Sequence, residues 1–558
     1  MCMASDTQTP LLDDIVDGVV DNKGRPVLRS SSGGWRSAGF ILAVEVAERF
    51  AYYGISSNLI SYLTGPLGQS AATAAENVNV WSGTALLLPL LGAFVADSFF
   101  GQYCTIVVAS LLYILGLGLL TLSAFPTSAS ASHQNNSPPQ LQCISFLFSL
   151  YLVAIAQGGH KPCIQAFGAD QFDGQHPEEC KAKSSFFNWW YFSTCMGIFS
   201  TNLIVSYIQD NLSWSLGFGV PCIAMVFALL AFLLGTKTYR YRNIIQDKKS
   251  PFVRIGRVFI AALRNWRSTS PSSVETEEDS HQQSFKQFKF LNKALLVPAD
   301  ALEAEEKIDC SMEEVEEAKA VLRLVPIWGT CLVYAIVFAQ SSTFLTKQAA
   351  TMNRTIKPGF DIPAASVQSF KNLASVLFVP IYDRFVIPVA KVLTRKPFGF
   401  TMLQRIGIGM ALSALYMALE AVVEIKRLKT AEEYDLLDMP NAPVPMSVWW
   451  LVLLYLLFGI SEVFTVVGQQ EFFYDQVPNE LRSIGLALYL SIYGVGSFLS
   501  SFLISIIDKA TSESGQESWF ASNLNRGHLD YFYWLLSVLS LIGFVVFLFF
   551  TKSYIYKV

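Results

Sequence analysis

Glu45, Glu48 and Arg49 stand inside an apolar stretch, "VEVAERFAYYG". A charge at the centre of a bilayer costs about 2.5–3.5 kcal/mol on insertion scales. Three unpaired in one helix would cost roughly 8–10 kcal/mol on that basis. The spacing offers a remedy. Glu45, Glu48, Arg49, Tyr52 and Ser56 fall at i, i+3, i+4, i+7 and i+11, which is one helical face. That face is expected to look into a bundle of helices rather than into lipid.

A further charge, Lys161, closes another apolar run, "AIAQGGHKPCIQAF". Pro162 removes a backbone donor there, and Gly158 and Gly159 loosen the turn before it. Lys161 is the natural partner for the surplus carboxylate, since two acids and two bases form a neutral group. A carboxylate in such a group takes a proton near physiological pH only where burial outweighs its cationic neighbours. Protonating one glutamate would free Arg49 or Lys161 for an anion, which is the physical core of proton–solute symport. The competing reading is a salt-bridge network that fixes helix packing. Buried ion pairs seldom stabilise a fold better than apolar packing does, which favours the chemical reading.

Glu462 lies mid-run in "LLFGISEVFTVVGQQEFFYDQVP", with Glu471 and Asp475 nearer its end. It has no partner in its own helix, so it is expected to bind a substrate cation or a proton, or to pair with a base elsewhere. Lys347 is expected to snorkel from a helix end. His160 is read as a packing or hydrogen-bonding residue, and Thr105 as a candidate site for a kinase partner.

The elements that must position these residues are membrane helices. Only 15% of the 558 residues are charged and 52% are hydrophobic, against about 25% charged in soluble domains. Apolar runs recur at about 36–63, 76–98, 104–125, 142–165, 186–208, 215–236, 320–345, 365–389, 399–423, 446–474, 482–507 and 530–551. These read as an all-α integral membrane protein of twelve transmembrane helices in two six-helix bundles, 36–236 and 320–552. Residues 1–35 form a polar tail expected to be disordered, and 553–558 a short C-terminal one. The linker 237–319 holds a basic amphipathic stretch, "PFVRIGRVFIAALRNWR", expected on the membrane surface or as a solvated helix. The Ser/Glu-rich run "STSPSSVETEEDS" follows, expected to be disordered.

Lys and Arg crowd the linker and are absent from 64–75, 126–141 and 209–214, which places the linker and both termini in the cytosol. The sequons at Asn135, Asn211 and Asn353 fall in loops this topology puts outside. No basic flank and short apolar core stands near Met1, so the first span is expected to be retained. The net charge of −4 gives no reason to expect nucleic acid, and the nine cysteines contain no CxxC pair, so neither a disulfide framework nor a zinc site is expected. The halves echo each other: "GAFVADSFFGQYCT" carries Asp97 and "VPIYDRFVIPVAKVLT" carries Asp383 and Arg384, each at the end of the second span of its half. Parallel repeats suggest alternating access about a site between the halves.

"EVAERFAYYG", "GAFVADSFFGQYCTIVVASLLYILG" and "GGHKPCIQAFGADQFD" resemble motifs of the plant nitrate/peptide transporter family, proton-coupled oligopeptide transporters of the major facilitator superfamily. The resemblance runs from about Gly33 to Tyr554; "FFNWWYFSTCMGIF" departs from it, with Cys195 where Asn is common. It implies the major facilitator fold and proton coupling through Glu45, Glu48 and Arg49. It makes Lys161 their partner, turns Glu462 to the central cavity, and gives Asp97 and Asp383 gating contacts. Two departures bear on the cargo. Phe338 stands where a nitrate-binding pattern has His, and Ser56 where peptide carriers have Arg. Phe338 and Tyr52 are read as candidate substrate contacts favouring a larger organic anion.

The expected activity is therefore proton-coupled transport of nitrate, small peptides or an organic anion, in the plasma or vacuolar membrane. A solute-binding receptor without net transport is the alternative. An enzyme is not expected, for want of a nucleophile–base set, and no cofactor is implied. The leader "DTQTPLL" is close to an acidic dileucine signal for the vacuole, with its acid one residue too far from Leu11 and Leu12.

Overall fold

The computed structural model describes residues 15–125, 140–173, 176–242, 251–266, 288–295, 310–394, 400–440, 442–478, 482–512 and 518–554. The dileucine leader, Asn135 and the Ser/Glu-rich run lie outside the described residues.

Two six-helix sets follow one another. The first comprises α1 (Gly34–Ser56), α2 (Ala71–Val95), α3 (Gly101–Ser123), α4 (Gln140–Ala169), α5 (Pro177–Ser200) and α6 (Trp214–Leu234). After the linker helix α7 (Pro251–Arg264) come α8 (Met312–Ala339), α9 (Ser369–Ile381), α10 (Met402–Glu433), α11 (Trp449–Asp475), α12 (Arg482–Ser512) and α13 (Leu529–Lys552). Among the described residues, ten helices are long and apolar enough to cross a membrane. The first and fifth helices fall short by composition because one carries Glu45, Glu48 and Arg49 and the other, "SSFFNWWYFSTCMGIFS", mixes polar residues with its apolar ones. Packed with the ten, they complete the twelve spans. Large apolar side chains remain on the outer faces, such as Leu111, Leu115 and Leu122 of α3 and Leu541, Val545 and Phe549 of α13. These are the faces a bilayer would cover.

Helix starts follow local chemistry. Ser311 caps α8 and Thr401 caps α10, each in a reciprocal box with Glu314 and Gln404. The expected α10 span ended near 423, but the helix runs on to Glu433. Gly158 does not loosen a turn, because α4 is continuous through Pro162. Its missing side chain lets α4 approach α2: a Cβ there would lie 2.7 Å from the Leu88 Cβ.

The polar tail also differs from expectation. Its residues 15–28 form strands β1 (Ile15–Val20) and β2 (Pro26–Leu28), and β1 pairs in turn with β3 (Tyr241–Arg242), just after α6. Valines flank a turn, "DNKG", in which Asp21 accepts from the amides of Lys23 and Arg25 at 2.8 Å; a whole-tail composition hides this hairpin signal. Arg240, beside β3, donates to both Glu179 oxygens at 2.7 and 3.2 Å and to the Ser32 carbonyl at 2.8 Å. Burial works against the Glu179 charge, but hydrogen bonds from Arg240 and the Asp173 amide hold its carboxyl below the ordinary range. Arg29 adds a 2.7 Å bond to Asp173.

One face of the amphipathic α7 is packed against the protein, while Val253, Ile260 and Leu263 stay exposed on it. Val258, Ala261 and Ala262 pack with Leu291, Ala294, Val315 and Ala318, which joins the linker to the start of α8.

The halves meet chiefly through α2 and α12. Asn79 donates to Ser500 at 3.0 Å, and Gln340 donates to the same hydroxyl at 2.9 Å. Ser501 reaches the Glu76 carbonyl, Gln368 the Ser57 carbonyl and Ser366 the Asn202 carbonyl. Lys347, expected to snorkel, instead donates to Thr64 across the interface at 2.7 Å. All of these lie on the face opposite the linker.

Candidate functional site

Glu45, Glu48 and Arg49 sit on the buried face of α1, as their spacing requires. The Arg49 Nε donates to Glu45 Oε1 at 2.7 Å and lies 3.1 Å from Glu48 Oε2. Thr194 of α5 donates to the same Glu45 oxygen at 3.0 Å. Glu45 and Glu48 have no exposed surface. Glu45 Oε2 and both Glu48 oxygens have no hydrogen-bond partner among the described residues. One guanidinium thus serves two carboxylates and leaves three oxygens open to a proton.

Lys161 does not complete the group as expected. It is half-buried on α4 and makes no ion pair among the described residues. The reason is geometric: Arg49 lies one and four positions after the two acids, so a single side chain reaches both. Lys161 remains within electrostatic reach of the three. His160 is fully buried, its ring edge-on to Tyr113 at 6.4 Å.

Tyr52 stacks on Trp81 with centroids 5.4 Å apart. Its neighbour Tyr53 is the residue of α1 that comes within electrostatic reach of Glu462. Glu462 finds its base elsewhere, on α9. The Lys371 Nζ lies 3.6 Å from Glu462 Oε2. It also lies 4.7 Å from the centroid of Phe338 and 5.5 Å from that of Phe458. Lys371 escaped the sequence reading, although a lysine in the apolar run 365–389 was signal enough.

Asp97 and Asp383 occupy equivalent backbone positions. Each falls in a single π-helical turn, Ala96–Phe100 and Tyr382–Val386, just after the second helix of its half. Such turns recur at functional sites. Arg384 is exposed beside Asp383. Thr105 is buried and donates to the Gly101 carbonyl at 2.8 Å.

A second buried set was missed altogether. In α10, Arg427 donates to both Glu424 oxygens at 2.8 and 2.7 Å, to Asn525 at 2.7 Å and to the Leu524 carbonyl at 2.8 Å. One turn earlier, Glu420 is fully buried with neither oxygen hydrogen-bonded among the described residues.

With this geometry in view, the comparisons are specific. Residues 103–520 match the sequence profile of the POT family. The chain belongs to the POT family. Its plant relatives include protein NRT1/PTR family 5.10 of Arabidopsis thaliana, 64% identical over 544 residues and 96% of each chain. Protein NRT1/PTR family 5.13 of the same plant is 55% identical over 100% of this chain and 99% of its own. The crystal structure of an auto-inhibited POT family peptide transporter matches at a TM-score of 0.70 and 21% identity, covering 94% of this chain and 98% of that one. A POT family transporter in complex with 5-aminolevulinic acid matches at 0.63 and 17%, covering 93% and 96%. These structures share the fold, two six-helix bundles of the major facilitator kind. The protein is a multi-pass membrane transporter, not an enzyme.

Proposed function

We propose that this POT family member is a proton-coupled symporter of small anionic or zwitterionic solutes: nitrate, short peptides or an organic anion. The observation that carries the reading is the Arg49 group, in which two buried carboxylates share one guanidinium and three of their oxygens lack a hydrogen-bond partner among the described residues. A proton on either glutamate loosens its hold on Arg49 and leaves part of a positive charge for the solute. Loss of that proton restores the pair and releases the solute. Lys161, within electrostatic reach, adds to the attraction for an anion.

The linker and both termini face the cytosol in this reading. The inter-half bonds then close the outer side, so the structure is the inward-facing state of an alternating-access cycle. Asp97, Asp383 and Arg384, at the cytosolic ends of the second helices, engage when the halves rock the other way. A solved POT relative bound to 5-aminolevulinic acid, which carries both a carboxylate and an amine, supports a cargo of this class. The receptor alternative has no observation of its own in its favour.

The test is uptake into proteoliposomes with and without an imposed pH gradient. Accumulation is expected only with the gradient, and only on wild-type protein. Gradient-independent accumulation, or accumulation by both Glu45→Gln and Glu48→Gln, would remove the mechanism.

A further inference from the structure

We propose that Lys371 is the docking point for a planar, singly charged oxyanion of the cargo, which takes the place that Glu462 occupies in this structure. The inference rests on the symporter reading and adds to it a site in the second half.

The ammonium of Lys371 is held by two ring faces rather than by its counter-ion. Phe338 and Phe458 both lie within the distance at which a ring face attracts a cation. Those rings are themselves fixed. Phe338 meets Tyr493 edge-on at 5.1 Å, and Phe458 stacks on Tyr416 at 4.8 Å. The carboxylate is the loose member. At 3.6 Å it is beyond hydrogen-bond length, and its Oε2 has no hydrogen-bond partner among the described residues. Glu424 and Arg427, by contrast, close to 2.7 Å.

The backbone sets this juxtaposition. A Cβ on Gly459 would lie 2.4 Å from the Lys371 carbonyl, so α9 and α11 touch at that level. Glu462 stands one turn further along α11, facing Lys371. The pair is also at the boundary between the halves. Around Glu462 lie Tyr53 of α1, Tyr334 of α8 and Tyr489 of α12, together with Lys371 of α9. It is one-fifth exposed, at 21%, where the Glu45 carboxylate is at 0%.

Glu462 shows by its own occupancy what the site accepts: a flat anion with two oxygens. Nitrate and a carboxylate share that chemistry. An arriving anion displaces the Glu462 carboxylate, which would then be left in a site with a single base. It takes one proton from solution instead. Before, the site holds Lys371 cation and Glu462 anion; after, it holds Lys371 cation, cargo anion and neutral Glu462. One proton enters with one anion, and the charge of the site is unchanged.

The experiment is equilibrium binding to detergent-purified full-length protein, with no gradient, using sodium nitrate and sodium benzoate in separate arms, each at pH 5.5 and 7.5 (~, chosen to bracket a carboxylate displaced from its cation). Wild type is expected to bind one or both anions, at least about tenfold tighter at the lower pH. Lys371→Gln should lose at least about tenfold in affinity, and Lys371→Arg should recover part of it. Glu462→Gln should still bind, with the pH dependence reduced to the share that the Glu45 and Glu48 group supplies. Binding to nitrate alone identifies the inorganic ion as the cargo group; binding to benzoate identifies a carboxylate. No binding of either anion by wild type, unchanged affinity in Lys371→Gln, or an intact pH dependence in Glu462→Gln would each overturn the proposal. Glu462→Gln tests it even if Lys371→Gln does not fold. Because no gradient is used, failure here is separate from failure of gradient-driven uptake, which tests the Arg49 group.

Discussion

Arg49 and Arg427 are both buried arginines beside glutamates of their own helix, and they differ in how completely their neighbours are satisfied. Arg427 spends its donors on Glu424, Asn525 and the Leu524 carbonyl, and Glu424 receives two bonds in return. Arg49 makes one hydrogen bond among the described residues and leaves three carboxylate oxygens without a hydrogen-bond partner. The Glu424–Arg427 pair itself has nothing left to exchange and ties α10 to the segment before α13, while Glu420, one turn earlier, stays outside the pair with neither oxygen hydrogen-bonded among the described residues. The second holds more acid than base and is poised to change its protonation. Completeness of hydrogen bonding, not burial or charge, separates the structural ion pair from the reactive one.

The widest separation between the two is expected from Arg427→Leu. It strands the Glu424 charge in the interior and should lower stability by about 3–5 kcal/mol. Thermal unfolding in detergent measures it, and an unchanged midpoint would make the two arginines equivalent. Next come Glu45→Gln and Glu48→Gln. Each is expected to keep its unfolding midpoint while gradient-driven uptake falls to background, so a drop in stability without loss of coupling would reverse the roles. A smaller effect is expected from Gly459→Ala, which forces α9 and α11 apart at Lys371. Overpacking of this kind costs about 1–3 kcal/mol, and uptake should fall further than stability alone explains. Smallest is Glu179→Gln, at the largely buried ion cluster under the tail, where the amide oxygen can still accept from Arg240. The depressed Glu179 carboxyl stabilises the fold above its ordinary value of 4.5, and that contribution fades as pH falls through its lower folded value. The variant should therefore be slightly less stable at neutral pH, and the difference from wild type should vanish in acid.

The twelve runs and the two-bundle arrangement were legible because hydrophobic length is a local property that a bilayer enforces. The Arg49 face was legible for the same reason, since helical spacing alone brings its members together. What the sequence hid depended on contacts between helices. Lys161 looked like a partner because charge counting ignores which side chain is nearer. Glu424 and Arg427 lie just past the run 399–423, and only the contacts of Arg427 with 524–525 reveal them as interior. Tyr52 and Tyr53 are adjacent, yet one packs on Trp81 and the other turns toward the second half; helix rotation decides that. Lys371 was visible as a residue, but its significance needed Phe338, Phe458 and Glu462, which come from two other helices.

The small sheet at the linker face has a consequence for how the chain is made. Strand β1 precedes the first membrane helix and β3 follows the sixth, so their pairing joins the two ends of one half to each other. Arg240, Glu179, Ser32 and Gln171 fasten the same closure, and every partner lies before residue 243. A nascent chain therefore carries all the contacts of this closure before any helix of the second half leaves the ribosome. The ends of the first bundle can be fastened in the membrane while the second is still being translated.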